Sequence, residues 1–289
     1  MTEHLTVAER PTQSPDRQGL AGELRLLRFQ AWSFLKRGWT HTTSYRLNFA
    51  LSVANVFIGL VGYYYLSHAA DPRIGAYSGN PAGFIIVGTT FNTFVSVALA
   101  SYSGSIRSEM FLGTIEHWLL SASSLTRLVV LSTIWEFMWP LLTTTITFIL
   151  LTLILGLHFD IEWTTSLVFF LLTVVVMSGF GLISAGIIMV SKIGDPLSLA
   201  WTAVNTLLIG ALFPVTVLPA WMQSISKVLP NYHALNGLRA GMLQHASLAS
   251  ESSELLSVLI FCAITVPLGV LIFRLGFERA RSQGTLAQF

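Results

Sequence analysis

Six apolar runs alternate with short polar connections along the chain, at 47–66, 83–102, 128–157, 163–190, 197–218 and 255–273. About 20 apolar residues span a bilayer as helix, and each run meets that length. The third and fourth exceed it, so tilt or protrusion is expected there. Ahead of the first run, Leu20, Leu24, Leu27, Ala31, Phe34 and Leu35 recur at helical spacing. Glu23, Arg25, Arg28, Lys36 and Arg37 fill the remaining arc. Residues 20–40 therefore predict a basic amphipathic helix lying along a membrane surface. The competing reading, a soluble helix packed on a core, has little soluble chain from which to build that core. The expected fold is all-α integral membrane, with six transmembrane helices in residues 41–289. Residues 1–19 are polar, carry Pro11 and Pro15, and lack the apolar core of a signal peptide. They read as a disordered cytosolic tail.

Composition agrees with this pattern. Of 289 residues, 53% are hydrophobic and 10% charged, and the mean hydropathy is +0.67; a soluble domain carries about a quarter charged residues. The net charge of +2 says less than where the charges fall. With both termini inside, the inner segments hold Arg10, Arg17, Arg25, Arg28, Lys36, Arg37, Arg46, Arg107, Arg127, Lys192, Arg274, Arg279 and Arg281. The outer segments hold only Arg73, Lys227 and Arg239. Thirteen against three follows the positive-inside rule and predicts a multi-pass protein of the plasma (inner) membrane with both termini cytosolic. Cys262 is the single cysteine and lies in an apolar run, which excludes an intrachain disulfide and favours a packing role.

Two connections stand out. Residues 104–125 contain RSEMFLGTIEHWLLSAS, a polar, turn-containing segment whose charges would be costly inside a bilayer; the charge bias places it in the cytosol. The second is 219–246. Trp221, Met222, Ile225, Val228 and Leu229 form one helical stripe, and Leu235, Leu238 and Met242 form another after Pro230. Two short helices dipping back towards the membrane fit this pattern, against the simpler alternative of an amphipathic loop on the outer surface. The loop 191–196, SKIGDP, is internal and very short.

Catalytic signatures are missing. No GxxxxGK[ST] phosphate loop occurs, so nucleotide hydrolysis is not expected in this chain, and neither GxSxG nor HExxH is present. His158, His233 and His245 are scattered through outer segments without partners at useful spacing. Ser184 lies within the fourth run, yet no histidine lies within any of the six, which argues against an intramembrane serine protease. Glu136 is the one charge well inside an expected span. It reads either as a substrate-path or proton-linked group, or as a carboxylate near the inner interface bonded to polar neighbours. Gly181 and Ala185, with Gly179 and Gly186, form a small surface suited to close helix contact.

Three stretches together resemble a known family, the membrane permeases of ATP-binding-cassette (ABC) exporters of the type-2 class. Arg107-Ser108-Glu109 through Gly113-Thr114-Ile115-Glu116 to Leu119-Leu120-Ser121 is similar to the family's R-x-E…GT-x-E-x-LL-x-[ST] segment after the second helix. Gly194-Asp195-Pro196 precedes the fifth helix. Phe213-Pro214-Val215, Leu218-Pro219-Ala220-Trp221-Met222, Leu229-Pro230, Ala234-Leu235 and Leu238-Arg239 follow the pattern FP-x-x-x-LP-x-W-[LM]…P…AL-x-x-[LI]-R. His117 departs from it, standing where the family often has a bulky aliphatic residue.

The resemblance implies a six-helix permease that pairs with a second copy and binds a separate cytosolic ATPase subunit, which carries the ATP and Mg; this chain itself holds no cofactor and no metal, and no nucleic acid is a partner. It implies that Arg107, Glu109, Gly113, Thr114, Glu116, His117 and Asp195 form or adjoin the contact with that ATPase. Gly113 permits a sharp turn and Thr114 suits a helix start. The path would run between the two permeases along the second and fifth helices, with Phe91, Asn92, Glu136, Asn205, Thr206 and Phe213 as lining candidates. Pro219, Trp221, Pro230 and Arg239 would shape the outer hairpin. A neutral, aromatic lining suits a drug-like or lipid-like amphiphile, with a polysaccharide or lipid-linked glycan as alternative cargo. An ATP-independent secondary transporter would instead predict intramembrane charges and inverted repeats, and a non-transporting assembly subunit is the remaining class.

Overall fold

A computed structural model describes residues 81–111, 159–191 and 195–282 without a break, most of 141–156, and isolated positions between 32 and 65 and at 138. The isolated positions are all helical. The elements are α1 (Pro81–Phe111), α2 (Trp163–Ser191), α3 (Pro196–Leu208), a 3-10 turn (Val215–Val217), α4 (Ala220–Ser226), α5 (Pro230–Leu243) and α6 (Ser252–Ser282). Among the described residues the protein is all-helical, with no strand. Three helices are long and apolar enough to cross a membrane, at Pro81–Ser105, Trp163–Ser191 and Ser252–Ala280. They coincide with the second, fourth and sixth apolar runs. Leu141–Ile154 forms a shorter apolar helix within the third run. The tail, most of the first run and residues 112–137 lie outside the described residues.

The three long helices run parallel. Phe94 and Phe170 pack with ring centroids 4.8 Å apart, and eight to eleven residues further on Gly181 abuts the Tyr102 ring. Between α2 and α6, the Cys262 thiol donates to the Leu172 carbonyl (3.6 Å), Gly179 abuts Thr265, and Gly186 abuts Ile272 and Phe273. Three parallel crossings require the chain to return twice, through 112–162 and again through 192–251. Lipid offers little hydrophobic drive for helix association, so close van der Waals packing has to hold such helices together. The glycines allow it. Gly179 faces Gly269 and Gly186 faces Gly276, one heptad apart on each helix.

The second return is partly visible. α3 runs antiparallel to α1 and α2, with Trp201 stacked on Phe180 at 4.1 Å. Its start, at Asp195, lies against Ser103 and Ser184, while Ala211 reaches the level of Gly88. The fifth apolar run predicts one helix over 197–218, but the helix stops at Leu208. Gly210 takes φ +74°, a conformation that strains other residues, and Pro214 lacks the N–H to continue a ladder. The run therefore continues beyond Leu208 as irregular backbone. The short helices α4 and α5 follow, each beginning at a proline break. α5 is the buried one. Asn231 at its start reaches Met177 on α2, Gly237 takes the Phe169 ring against its backbone, and Gly241 meets Ser166. It is thus laid antiparallel along α2, in contact with α1 and α6 as well.

Candidate functional site: a polar helix face between two anchored ends

At the end carrying Arg107, Arg274 and Arg279, Asp195 gathers three helices. Its carboxylate accepts from the Ser184 hydroxyl (2.5 Å), from the Ser198 N–H (3.0 Å) and from the Ser198 hydroxyl; Ser103 on α1 also bonds to it. Asp195 is the N-cap of α3, followed by proline in the first turn, an arrangement that satisfies otherwise orphaned amide donors. Burial by itself would raise the carboxyl pKa, but the bonds from Ser103, Ser184 and Ser198 outweigh it and hold the group below its ordinary 3.8. A depressed folded-state value means that its stabilisation is complete above the unfolded value and fades as pH falls through the folded one. Asp195→Ala is expected to cost about 2 kcal/mol through the lost cap and serine partners. Asp195→Asn, which can still cap, should cost less. Thermal unfolding of the detergent-purified variants at neutral and acid pH measures both effects; an alanine variant as stable as the parent would contradict this role.

The middle of the bundle separates two kinds of surface. α2 exposes Trp163, Leu167, Leu171 and Val175, and α6 exposes Leu256, Leu259, Ile260, Ile264, Leu268 and Leu271, as lipid-facing helices should. α1 does not. Among its described side chains the exposed positions are Thr93, Ala100, Gly104 and Arg107, with Asn92, Ser96 and Val97 half-buried beside them. Asn92 donates to the Thr206 hydroxyl on α3 (3.3 Å), and Thr206 is itself exposed. The Thr93 and Ser96 hydroxyls donate back to the Thr89 and Asn92 carbonyls, whereas the Asn92 side-chain oxygen has no hydrogen-bond partner among the described residues, and acyl chains can offer it none.

Two of the lining candidates sit elsewhere. Phe91 is 3% exposed within the apolar core. Asn205 is fully buried, donating to the Trp201 carbonyl (2.9 Å) and accepting from Asn231 (2.7 Å); it ties α3 to the start of α5. Phe213 is half-buried in the turn after α3.

At the opposite end, Arg239 on α5 is 2% exposed. Its guanidinium donates to the Phe84 carbonyl (3.1 Å) and the Ala211 carbonyl (3.0 Å), and its carbon lies 3.5 Å from the centre of the Phe84 ring. Ala211 belongs to the stretch where the fifth run leaves helical geometry. Freed carbonyls in an apolar setting need a donor, and Arg239 supplies one. Gly88 makes room, since a Cβ there would overlap both the Ala211 carbonyl and the guanidinium. Trp221 and Trp163 are largely exposed at this end, as aromatic residues at a membrane interface are. Pro219 precedes α4 as its N-cap and Pro230 opens α5.

His233 also has a partner there, which spacing alone did not reveal. Its Nδ1 meets the Glu254 carboxylate at 2.5 Å and its Nε2 meets the Lys227 carbonyl at 2.8 Å. The Glu254 bond, aided by that carbonyl, overcomes partial burial and raises the imidazole pKa above 6.5. This contact is therefore complete at acid pH and weakens as pH rises through the folded-state value.

Of the residues expected to meet an ATPase, Arg107 is exposed near the end of α1, and α1 stays helical through Glu109 to Phe111. The polar segment thus begins as an uninterrupted extension of a membrane helix and not as a turn. Gly113, Thr114, Glu116 and His117 lie outside the described residues, as does Glu136. Ser103, Ser198, Asn231 and Gly88 were not singled out by the sequence. The roles of Ser103, Asn231 and Gly88 depend on partners in other elements, whereas Ser198 acts within three residues of Asp195 as part of its cap.

A comparison with curated proteins gives no match. A family description, ABC-2 type transporter, matches residues 29–243, nearly three-quarters of the chain. It takes in the polar-faced helix, the Asp195 turn and the short helices α4 and α5 that begin at proline breaks. With these features in one multi-pass helical membrane protein, the chain belongs to the ABC-2 type transporter family.

Proposed function

We propose that this chain is the permease subunit of an exporter that moves a drug-like or lipid-like amphiphile, driven by ATP hydrolysed on a separate cytosolic ABC ATPase. The observation that carries the proposal is the exposed polar face of α1, joined to α3 through Asn92 and Thr206 and set against the apolar outer faces of α2 and α6. Such a face calls for a second permease copy with a shared path between them. Asn92, Thr93, Ser96 and Thr206 then border the path, offering neutral hydrogen-bonding groups without a ring of charge. That chemistry suits an amphiphile better than an inorganic ion.

The same helix supplies the lever. α1 continues without a break from Pro81 to Phe111, about 45 Å at 1.5 Å per residue. A push on 104–125 by a closing ATPase would be transmitted along a rigid rod to the polar face. Asp195, bound to Ser103 of that rod, would carry α3 with it. ATP and Mg stay on the partner; both termini of this chain face the cytosol at the plasma membrane.

The test is charge reversal in the coupling segment. Glu116→Lys should lower transport-coupled ATPase activity by about tenfold or more, since like charges brought together at an interface cost several kcal/mol. Membrane insertion and thermal stability should remain as in the parent. Full coupling in a correctly inserted Glu116→Lys protein would refute this contact.

A further inference from the structure

We infer that an anionic phospholipid binds in a groove between the ends of α2 and α6, with its phosphate on Arg279. The groove has a volume of roughly 340 Å³ and opens to the outside of the bundle. Val190, Ile272 and Leu275 form apolar walls, and Gly186 and Gly276 form the floor where the two backbones touch. Two polar groups interrupt this lining. Ser191 places its buried hydroxyl there with no hydrogen-bond partner among the described residues. Arg279 stands at the mouth, and its exposed guanidinium makes no ion pair among the described residues.

Depth selects the occupant. The apolar span of α6 ends at Ala280, so Arg279 lies at headgroup level while Ile272, two turns earlier, lies at acyl-chain level. An apolar slot capped by a cation and a hydroxyl matches one lipid with a negatively charged headgroup, and basic pockets between helices are known to recognise such headgroups. Glu278 is the neighbouring carboxylate, but adjacent helix positions are about 100° apart, which turns it off the groove axis. A second protein copy fits less well. α2 and α5 stand between α6 and the polar α1 face, and the walls continue the leucine-rich surface of α6.

The full chain, purified in detergent and titrated separately with phosphatidylglycerol and phosphatidylcholine, tests this by native mass spectrometry. The expected result is one retained phosphatidylglycerol per chain and weaker retention of phosphatidylcholine. Arg279→Gln should weaken phosphatidylglycerol retention about fivefold, the size of effect one basic residue has at an anionic surface. Arg274→Gln, about 200° around the helix from Gly276, should not. Val190→Trp should displace the lipid by filling the slot with Arg279 intact. Equal retention of the two lipids would overturn the inference, as would retention unaffected by Arg279→Gln. So would disulfide crosslinking between copies of a Val190→Cys protein in vesicles, which would make the groove a protein interface.

Discussion

Arg239→Ala should destabilise the protein by about 3–5 kcal/mol, the range for stripping a buried charged group from its partners. The side chain is 2% exposed and holds the carbonyls of Phe84 and Ala211. Truncation leaves two acceptors facing an apolar interior, together with a void beneath the Phe84 ring. It also removes the link between α5, the start of α1 and the irregular stretch after α3. Both carbonyls accept from one guanidinium nitrogen, so Arg239→Lys keeps a donor cation but loses the planar group over the Phe84 ring and should fall between the parent and the alanine variant. Thermal unfolding in detergent, followed by circular dichroism, measures the series. If the alanine variant unfolded at the parent's temperature, Arg239 could not be the donor that satisfies the helix break.

Gly276→Leu carries the second large effect. A Cβ at this position would overlap the Gly186 carbonyl and crowd the Gly186 backbone. Both obstacles are main chain, which cannot swing aside as a side chain can. The helices must part, and packing lost along α2 and α6 should cost about 3 kcal/mol. Gly104→Ala is the control, because nothing lies within 4 Å of a Cβ built there. That change should be neutral or slightly stabilising, as alanine is the better helix former. If Gly276→Leu left the unfolding temperature unchanged, or if Gly104→Ala lowered it equally, the α2–α6 backbone contact would not be what distinguishes these glycines.

The glycine contact shows how far hydropathy and spacing reach. Gly179 and Gly186 were legible as a small surface on one helix because small residues at helical spacing need no partner to be recognised. Their counterparts Gly269 and Gly276 share the same heptad interval, but nothing local says which helix will face which. The fifth run shows the opposite problem. Its hydropathy continues to Leu218, so composition predicts one helix, whereas the conformation of Gly210 and the missing donor of Pro214 end it at Leu208. Arg239 was legible only as a hairpin cation. Its burial follows from a carbonyl 28 residues earlier, a relation that becomes visible once α5 is laid along α2. Asp195 is similar. The Gly-Asp-Pro turn could be read, but Ser103 and Ser184 come from separate helices and neither forms a motif with it. Charge counting assigned Arg107 to a polar connection, and the helix simply carries on through it.

We propose that this membrane bundle works for a motor on another chain. The most direct test is purification of the chain with its cytosolic associates, followed by reconstitution into vesicles with ATP. An ABC ATPase subunit is expected to copurify, and export of an amphiphilic probe to require ATP hydrolysis by that subunit. Purification without any ATPase, with transport that follows an imposed ion gradient instead, would contradict it.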